Sequence, residues 1–266
     1  MLCAYYGHHK SATKWVLNII DDAYRKTGLR HQQFHSPKLF QYDAKKYIEK
    51  NNINVFSYTN ADWQYVKNLR CKGFHVIRDP RDIMVSAYYS HLNSHETKGW
   101  PELAEHRKTL VDLPKDEGLL ADMDFTANLP TDGVRLGLID CMYNWNYQSE
   151  NVLEVKYEDL VKEPYEEFKR IFNFMGLMKE TSFIRYLMPT VKYKISEIEL
   201  NEAIDNNNYK KLSGGRNRGE ENTESHYRRE LPGDGVNHFN EVHKVYCKRE
   251  YGDILVKLGY EENNNW

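Results

Sequence analysis

Lys10, Ser11 and Thr13 stand together in the stretch Tyr5-Tyr6-Gly7-His8-His9-Lys10-Ser11-Ala12-Thr13-Lys14-Trp15. An ammonium, two hydroxyls and the backbone N–H groups of a small-residue loop are the donors that hold a phosphate or sulfate. Gly7 and Ala12 keep bulk away where an anion must approach the backbone. A second group, Arg78-Asp79-Pro80 followed by Ser86, offers a guanidinium fork and a hydroxyl suited to another anion. Two such sites on one crevice suit a nucleotide with phosphates at both ends. The nucleotide-hydrolase loop requires Gly, four residues, then Gly-Lys-Ser/Thr; here His9 precedes Lys10 and the glycine pair is missing, which weakens an ATP or GTP reading.

The elements that must position these groups are legible around them. Met1 to Tyr6 is an apolar run of strand length, and Trp15-Val16-Leu17-Asn18-Ile19-Ile20 opens a helical pattern that fades near Thr27-Gly28, so a strand turns through the cationic loop into a helix. Asn54 to Tyr58 and Gly73 to Arg78 read as strands. Asp79 and Pro80 supply a cap and a first-turn proline for a helix to about His91 or His95. Glu96 to Asp132 is charged and irregular, punctuated by Pro101, Pro114, Gly118 and Pro130. A helix over 137–149 precedes a strand from Val152 to Tyr157, and Pro164 and Gly176 bracket a further helix. Ser196 and Glu199 form a capping-box pattern for a helix over 196–206, and Phe239 to Leu258 reads as helical. Strands alternating with helices imply an α/β three-layer sandwich with a mainly parallel central sheet, a P-loop-like nucleotide-binding fold. Ligands in such sheets sit beyond the carboxyl ends of the strands, where Lys10, Tyr58, Arg78 and Tyr157 converge.

With 266 residues the chain fits a single domain over 1–266, with pocket-forming insertions near 28–54 and 93–140 and a polar, glycine-bearing lid near 206–235. A formal net charge of -2 argues against a nucleic-acid partner. Four scattered cysteines, Cys3, Cys71, Cys141 and Cys247, indicate neither a zinc site nor a disulfide framework, and a reducing, cytoplasmic setting fits. No run approaches the roughly 20 apolar residues of a membrane span, and the first six residues leave no room for a signal peptide. The 20 tyrosines are enough to line an apolar pocket with hydroxyl-bearing walls.

The chain resembles the sulfotransferases that use 3′-phosphoadenosine 5′-phosphosulfate (PAPS). Their 5′-phosphosulfate loop, Lys-Ser-Gly-Thr-Thr-Trp, is similar to Lys10-Ser11-Ala12-Thr13-Lys14-Trp15. Their 3′-phosphate signature resembles Arg78 to Ser86 with Ala87-Tyr88-Tyr89, and their Tyr-Glu-Asp-Leu stands as Tyr157-Glu158-Asp159-Leu160. A fourth block, Arg-Lys-Gly, two residues, then Gly-Asp-Trp-Lys-Asn and an aromatic, corresponds to Arg228-Arg229-Glu230-Leu231-Pro232-Gly233-Asp234-Gly235-Val236-Asn237-His238-Phe239. The resemblance implies that His9, Lys10, Ser11, Ala12, Thr13 and Lys14 hold the 5′ end and that Trp15 lies against adenine. It implies that Arg78, Ser86, Arg228 and Arg229 hold the 3′-phosphate and that Tyr157 and Tyr209 complete the adenine pocket. Ala12 replaces a glycine, tolerable if that position is helical; Lys14 replaces a threonine, Glu230 a glycine and Gly235 a tryptophan. The family's dimer motif is not reproduced after this block, so the oligomeric state stays open.

Sulfuryl transfer needs an acceptor hydroxyl or amine in line with sulfur and neutralisation of the charge that shifts to the leaving phosphate. Lys10 suits the second task, and no metal is required. For the general base the candidates are Tyr58, His31 and His35, with Asp62, His91 and His95 nearby. The acceptor is a small or medium molecule reached through 28–54 and 93–140. Two competing readings are a P-loop nucleotide kinase or hydrolase using Glu158-Asp159, and a non-catalytic binder of 3′-phosphorylated nucleotides.

Overall fold

The computed structural model describes residues 2–131, 133–179 and 194–266. Met1 and Asp132, the expected limits of two segments above, lie outside them. The strands in chain order are β1 (Cys3–Tyr6), β2 (His31–Phe34), β3 (Val55–Tyr58), β4 (Lys72–Ile77), the two-residue β5 (Pro130–Thr131) and β6 (Val134–Arg135), and β7 (Val152–Lys156). Five of them form a parallel sheet in the order β2-β3-β1-β4-β7, while β5 and β6 pair antiparallel apart from it.

Period-two alternation along β1 assigns the layers. Cys3 and Tyr5 join the core built with α1 (Thr13–Thr27), whereas Ala4 and Tyr6 join Phe34, Phe56 and Tyr58 on the opposite face. That second core is closed by Ala44 and Ile48 of α2 (Ala44–Asn51). Each fully buried Ile or Phe on these faces contributes about 1.5–3 kcal/mol by leaving water. Register sets Phe34, Tyr58 and Tyr6 in one row, and β4 runs two residues further to pair Ile77 with Lys156. The loops that follow therefore leave one edge of the sheet.

The remaining α-helices among the described residues are α3 (Trp63–Val66), α4 (Pro80–Tyr89), α5 (Pro101–Asp112), α6 (Lys115–Asn128), α7 (Leu138–Asn144), α8 (Tyr157–Lys162), α9 (Pro164–Phe174), α10 (Glu197–Asn206), α11 (Tyr209–Leu212), α12 (Gly235–His238), α13 (Glu241–Tyr251) and α14 (Ile254–Lys257). Phe168, Ile171 and Phe172 of α9 pack into the α1 layer, and α4, α6 and α13 enclose a third cluster around Met84, Met123 and Cys247. The cap at Asp79 and the capping box of Ser196 with Glu199 form as the sequence predicts.

Four expectations are corrected. Residues 28–54 are not all insertion: His31 to Phe34 is the edge strand of the main sheet, and its polar sequence hid it because an edge strand keeps one side in water. The segment expected from Glu96 to Asp132 is not irregular over its described residues, 96–131. Pro101 and Pro114 start helices, and Gly118 sits inside α6 because an added Cβ would lie 3.1 Å from the Tyr88 ring. The C-terminal helix is interrupted at Gly252, and the helix expected over 137–149 ends at Asn144.

Candidate functional site

The loop from β1 to α1 is held from below. Gly7 donates its N–H to the Tyr58 carbonyl (3.0 Å) and accepts from Ala61 (2.9 Å), and a Cβ on it would meet the Tyr5 hydroxyl oxygen at 2.5 Å. The His8 carbonyl accepts from the Ser11 N–H (3.1 Å) and the Thr13 hydroxyl (3.0 Å). Lys10 and Ala12, on either side of Ser11, both have left-handed backbones, φ 61° and 58°. Alternating handedness turns successive N–H groups toward one point, the geometry of an anion nest. The Ser11 hydroxyl is buried with no partner among the described residues. Burial, then the Arg78 charge, pushes Lys10 down to about 7.

Ala12 is thus not helical but the left-handed cap of α1. A side chain there costs roughly 1–2 kcal/mol, which glycine would avoid at some cost in chain entropy. Ala12→Gly is expected to raise stability by about 0.5–1 kcal/mol in urea unfolding; a loss would mean that restriction of the unfolded chain by alanine outweighs the strain. Glu230, the other replacement of a family glycine, is left-handed too (φ 56°), and its carboxylate pairs with Arg218 (2.8 Å).

Arg78 leaves the end of β4 and ties the first site to the second. Its Nη1 donates to the Lys10 carbonyl (2.9 Å), its guanidinium lies 4.4 Å above the Tyr157 ring, and its Nε is buried without a partner among the described residues. Ser86, on α4, borders the same cavity. Arg228 and Arg229 arrive from the segment 206–235 already engaged: both donate to Asp234, and Arg228 also to Glu221 while stacking on Tyr89 at 4.7 Å. Burial opposes the ionised Asp234, but His238 and Arg228 outweigh it and hold the carboxyl well below its usual range.

The segment 206–235 is well anchored despite its polar composition. Arg216 donates to the Tyr227 (2.6 Å) and Arg228 (2.8 Å) carbonyls and to the Tyr209 hydroxyl (3.1 Å), so Tyr209 is a structural part of this segment that also borders the cavity. Asp82 of α4 accepts from the N–H groups of Gly233 (2.8 Å) and Gly235 (2.7 Å). Gly235 lies against α4 so closely that a Cβ would meet Arg81 Cβ at 2.5 Å, which explains the absence of a tryptophan there.

These groups border one cavity of about 1100 Å³. His9, Lys10, Thr13, Lys14 and Trp15 lie on its wall, and the Trp15 ring is fixed by an N–H bond to the Asn207 carbonyl (2.9 Å). Of Tyr58, His31 and His35 only His35 borders the cavity, and of the neighbouring Asp62, His91 and His95 only His95 does. Tyr58 is buried against Phe40 and Phe56, and that burial drives its phenol upward, so it cannot take a proton at neutral pH. His31 is spent on Asp21 and on the Ser57 hydroxyl (2.7 Å), bridging α1, β2 and β3.

Sequence reasoning missed a chain of groups that runs from His9, on the cavity wall beside Lys10, back into the buried core. His9 Nε2 lies 3.0 Å from His91 Nε2, and His91 Nδ1 lies 2.8 Å from Asp122 Oδ1. No local signal could reveal it, because the partners are 82 and 31 residues apart. Tyr227, whose ring faces Lys14, was likewise unmarked except by its place before Arg228.

A parallel sheet with a cationic strand–loop–helix turn and an arginine-bearing strand end beside it defines an α/β protein of the P-loop-like class. The chain belongs to the sulfotransferase domain family, whose model matches residues 4–253. It is similar in structure to mouse sulfotransferase SULT7A1 complexed with PAP (3′-phosphoadenosine 5′-phosphate), at TM-score 0.58 and 17% identity over 96% of this chain and 83% of that one. It is also similar to retinol dehydratase in complex with androsterone and inactive cofactor PAP, at TM-score 0.51 and 14% identity over 95% and 80% of the two chains. No curated protein matches the sequence. No helix among the described residues is long and apolar enough to cross a membrane.

Proposed function

We propose that the protein transfers the sulfuryl group of PAPS to a hydroxyl or amine of a small or medium acceptor by in-line displacement. The observation that carries this reading is Lys10, a desolvated ammonium in a left-handed nest, joined through its own carbonyl to Arg78. The fit is supported by buried polar atoms without partners among the described residues, Ser11 Oγ, Arg78 Nε and Arg229 Nε, since such groups cost free energy until a ligand satisfies them. When bound, PAPS supplies the sulfuryl group and a phosphate leaving group. Lys10, with Ser11, Thr13 and Lys14, holds the 5′ end and neutralises the charge that develops there. Arg78, Ser86, Arg228 and Arg229 hold the 3′-phosphate, and Trp15, Tyr157 and Tyr209 flank the adenine. The free thiols of all four cysteines support a reducing, cytoplasmic setting.

Thermal unfolding with PAP, or with ATP and Mg²⁺, tests the reading. At a ligand concentration of about 100 Kd the folded state gains about 2.7 kcal/mol, which raises the midpoint by several degrees. PAP is expected to give that rise and Arg78→Ala to remove it. A rise with ATP and Mg²⁺ and none with PAP would replace this reading with a kinase.

A further inference from the structure

Resting on the sulfotransferase reading, we propose that His9 Nδ1 is the base that takes the acceptor's proton, with His91 and Asp122 as residues that position it and stabilise its charge. The argument is one of proton inventory. Asp122, on α6, is fully buried; its Oδ1 faces His91 Nδ1 (2.8 Å) and His106 Nε2 (3.0 Å), and its Oδ2 accepts from the Thr126 hydroxyl (3.2 Å). Burial opposes its ionisation, but the two histidines outweigh it and hold its carboxyl below the ordinary value, so it accepts and does not donate. His91 must therefore carry a proton on Nδ1. In a neutral His91 the Nε2 is then a lone pair, and the group 3.0 Å from it is His9 Nε2, which must donate. Neutral His9 is left with an unprotonated Nδ1, for which the described residues provide no partner, on a ring that borders the cavity beside Lys10.

The ring is also held still. It lies edge to edge and nearly coplanar with His91, centroids 5.1 Å apart at 21°, and meets Trp100 edge-on at 5.8 Å, so no orientation has to be found during reaction. The groups that face it are His91, Lys10, His95 and His226, with Asp122 behind His91; burial, then these neighbouring cations and rings, keeps His9 neutral near pH 7. In the transfer the acceptor oxygen bonds to sulfur. The bond from sulfur to the bridging oxygen breaks, and its electron pair leaves on the phosphate. The acceptor proton passes to His9 Nδ1, and the imidazolium so formed is stabilised through Nε2–H to His91 and on to the Asp122 carboxylate. This arrangement fills the role that Tyr58 and His31 cannot, from a position next to the nest rather than from the end of β3.

The deciding experiment is nitrogen NMR of the full chain labelled with ¹⁵N-histidine, with His9 assigned through His9→Gln, and titrated with and without PAP. The expected result is an Nε2–H tautomer for His9, and a pKa that rises by at least one unit when PAP binds, because an anion placed beside the ring favours its charged form. Asp122→Asn should mix the tautomers while the PAP-induced melting shift persists. An Nδ1–H tautomer in the wild type, or a His9 titration indifferent to bound PAP, would overturn the assignment. A wild-type chain with no PAP-induced melting shift would instead overturn the donor reading on which it rests, so the two failures are distinguishable.

Discussion

Replacing Lys10 with methionine is expected to abolish the PAP-induced melting shift and to lower turnover by about 10²–10³-fold, the usual loss when one preorganised donor to a developing negative charge is removed. The same change should stabilise the ligand-free protein. Burial and then Arg78 disfavour its charge and push Lys10 down to about 7 in the folded chain from its ordinary 10.5. Between those values the unfolded chain binds one more proton than the folded one, so the wild-type protein gains stability as pH rises through that window. Lys10→Met removes both the penalty and the slope. Its advantage, on the order of 5 kcal/mol, is full below about pH 7 and disappears toward pH 10.5. Urea unfolding at pH 6 and at pH 10 checks the sign, and a variant less stable than wild type at pH 6 would show that the ammonium is already satisfied without ligand.

The second large effect is expected at Asp82. Its carboxylate is 1% exposed, accepts two lid N–H groups and lies 3.8 Å from the Arg78 guanidinium. Hydrogen bonds to a charged group contribute about 1.5–3 kcal/mol each, and Asp82→Ala also leaves Arg78 short of a counter-charge. The lid is therefore expected to detach before the rest of the chain unfolds, exposing 206–235 to limited proteolysis and weakening PAP binding by at least tenfold. Asp82→Asn, with a single acceptor oxygen, should fall between the two. Proteolysis and binding unchanged in the alanine variant would mean that Arg216 alone secures the lid.

Much of the layout was legible because local chemistry and global fold agree at particular residues. The Asp79-Pro80 pair starts a helix wherever it lies, Ser196 and Glu199 cap each other without outside help, and the apolar faces of β1 and α1 admit only one layering. What stayed hidden depended on distant partners. His31 to Phe34 forms a strand because Val55 to Tyr58 lies beside it, not because its own sequence alternates. Pro101 and Pro114 read as loop punctuation until the helices they start are packed against their neighbours. Ala12 and Glu230 show the limit of motif matching: the side chains depart from the family pattern at two positions whose backbone in this chain is left-handed. The groups proposed to hold the cofactor sit on short motifs that can be read by eye, whereas the chain from His9 to Asp122 is assembled from three separate segments.

The parallel sheet also has a consequence for how the protein is made. β1 is the central strand, and its neighbours β3 and β4 begin at Val55 and Lys72, so no hairpin can satisfy it as it leaves the ribosome. A strand of Cys3, Ala4, Tyr5 and Tyr6 must wait for at least 50 further residues, and the sheet is not complete until β7 emerges. During that interval the future anion nest has no floor. Nascent chains stalled before Val152 are therefore expected to stay protease-sensitive and to bind chaperones, and acquisition of the loop's structure should coincide with closure of the sheet.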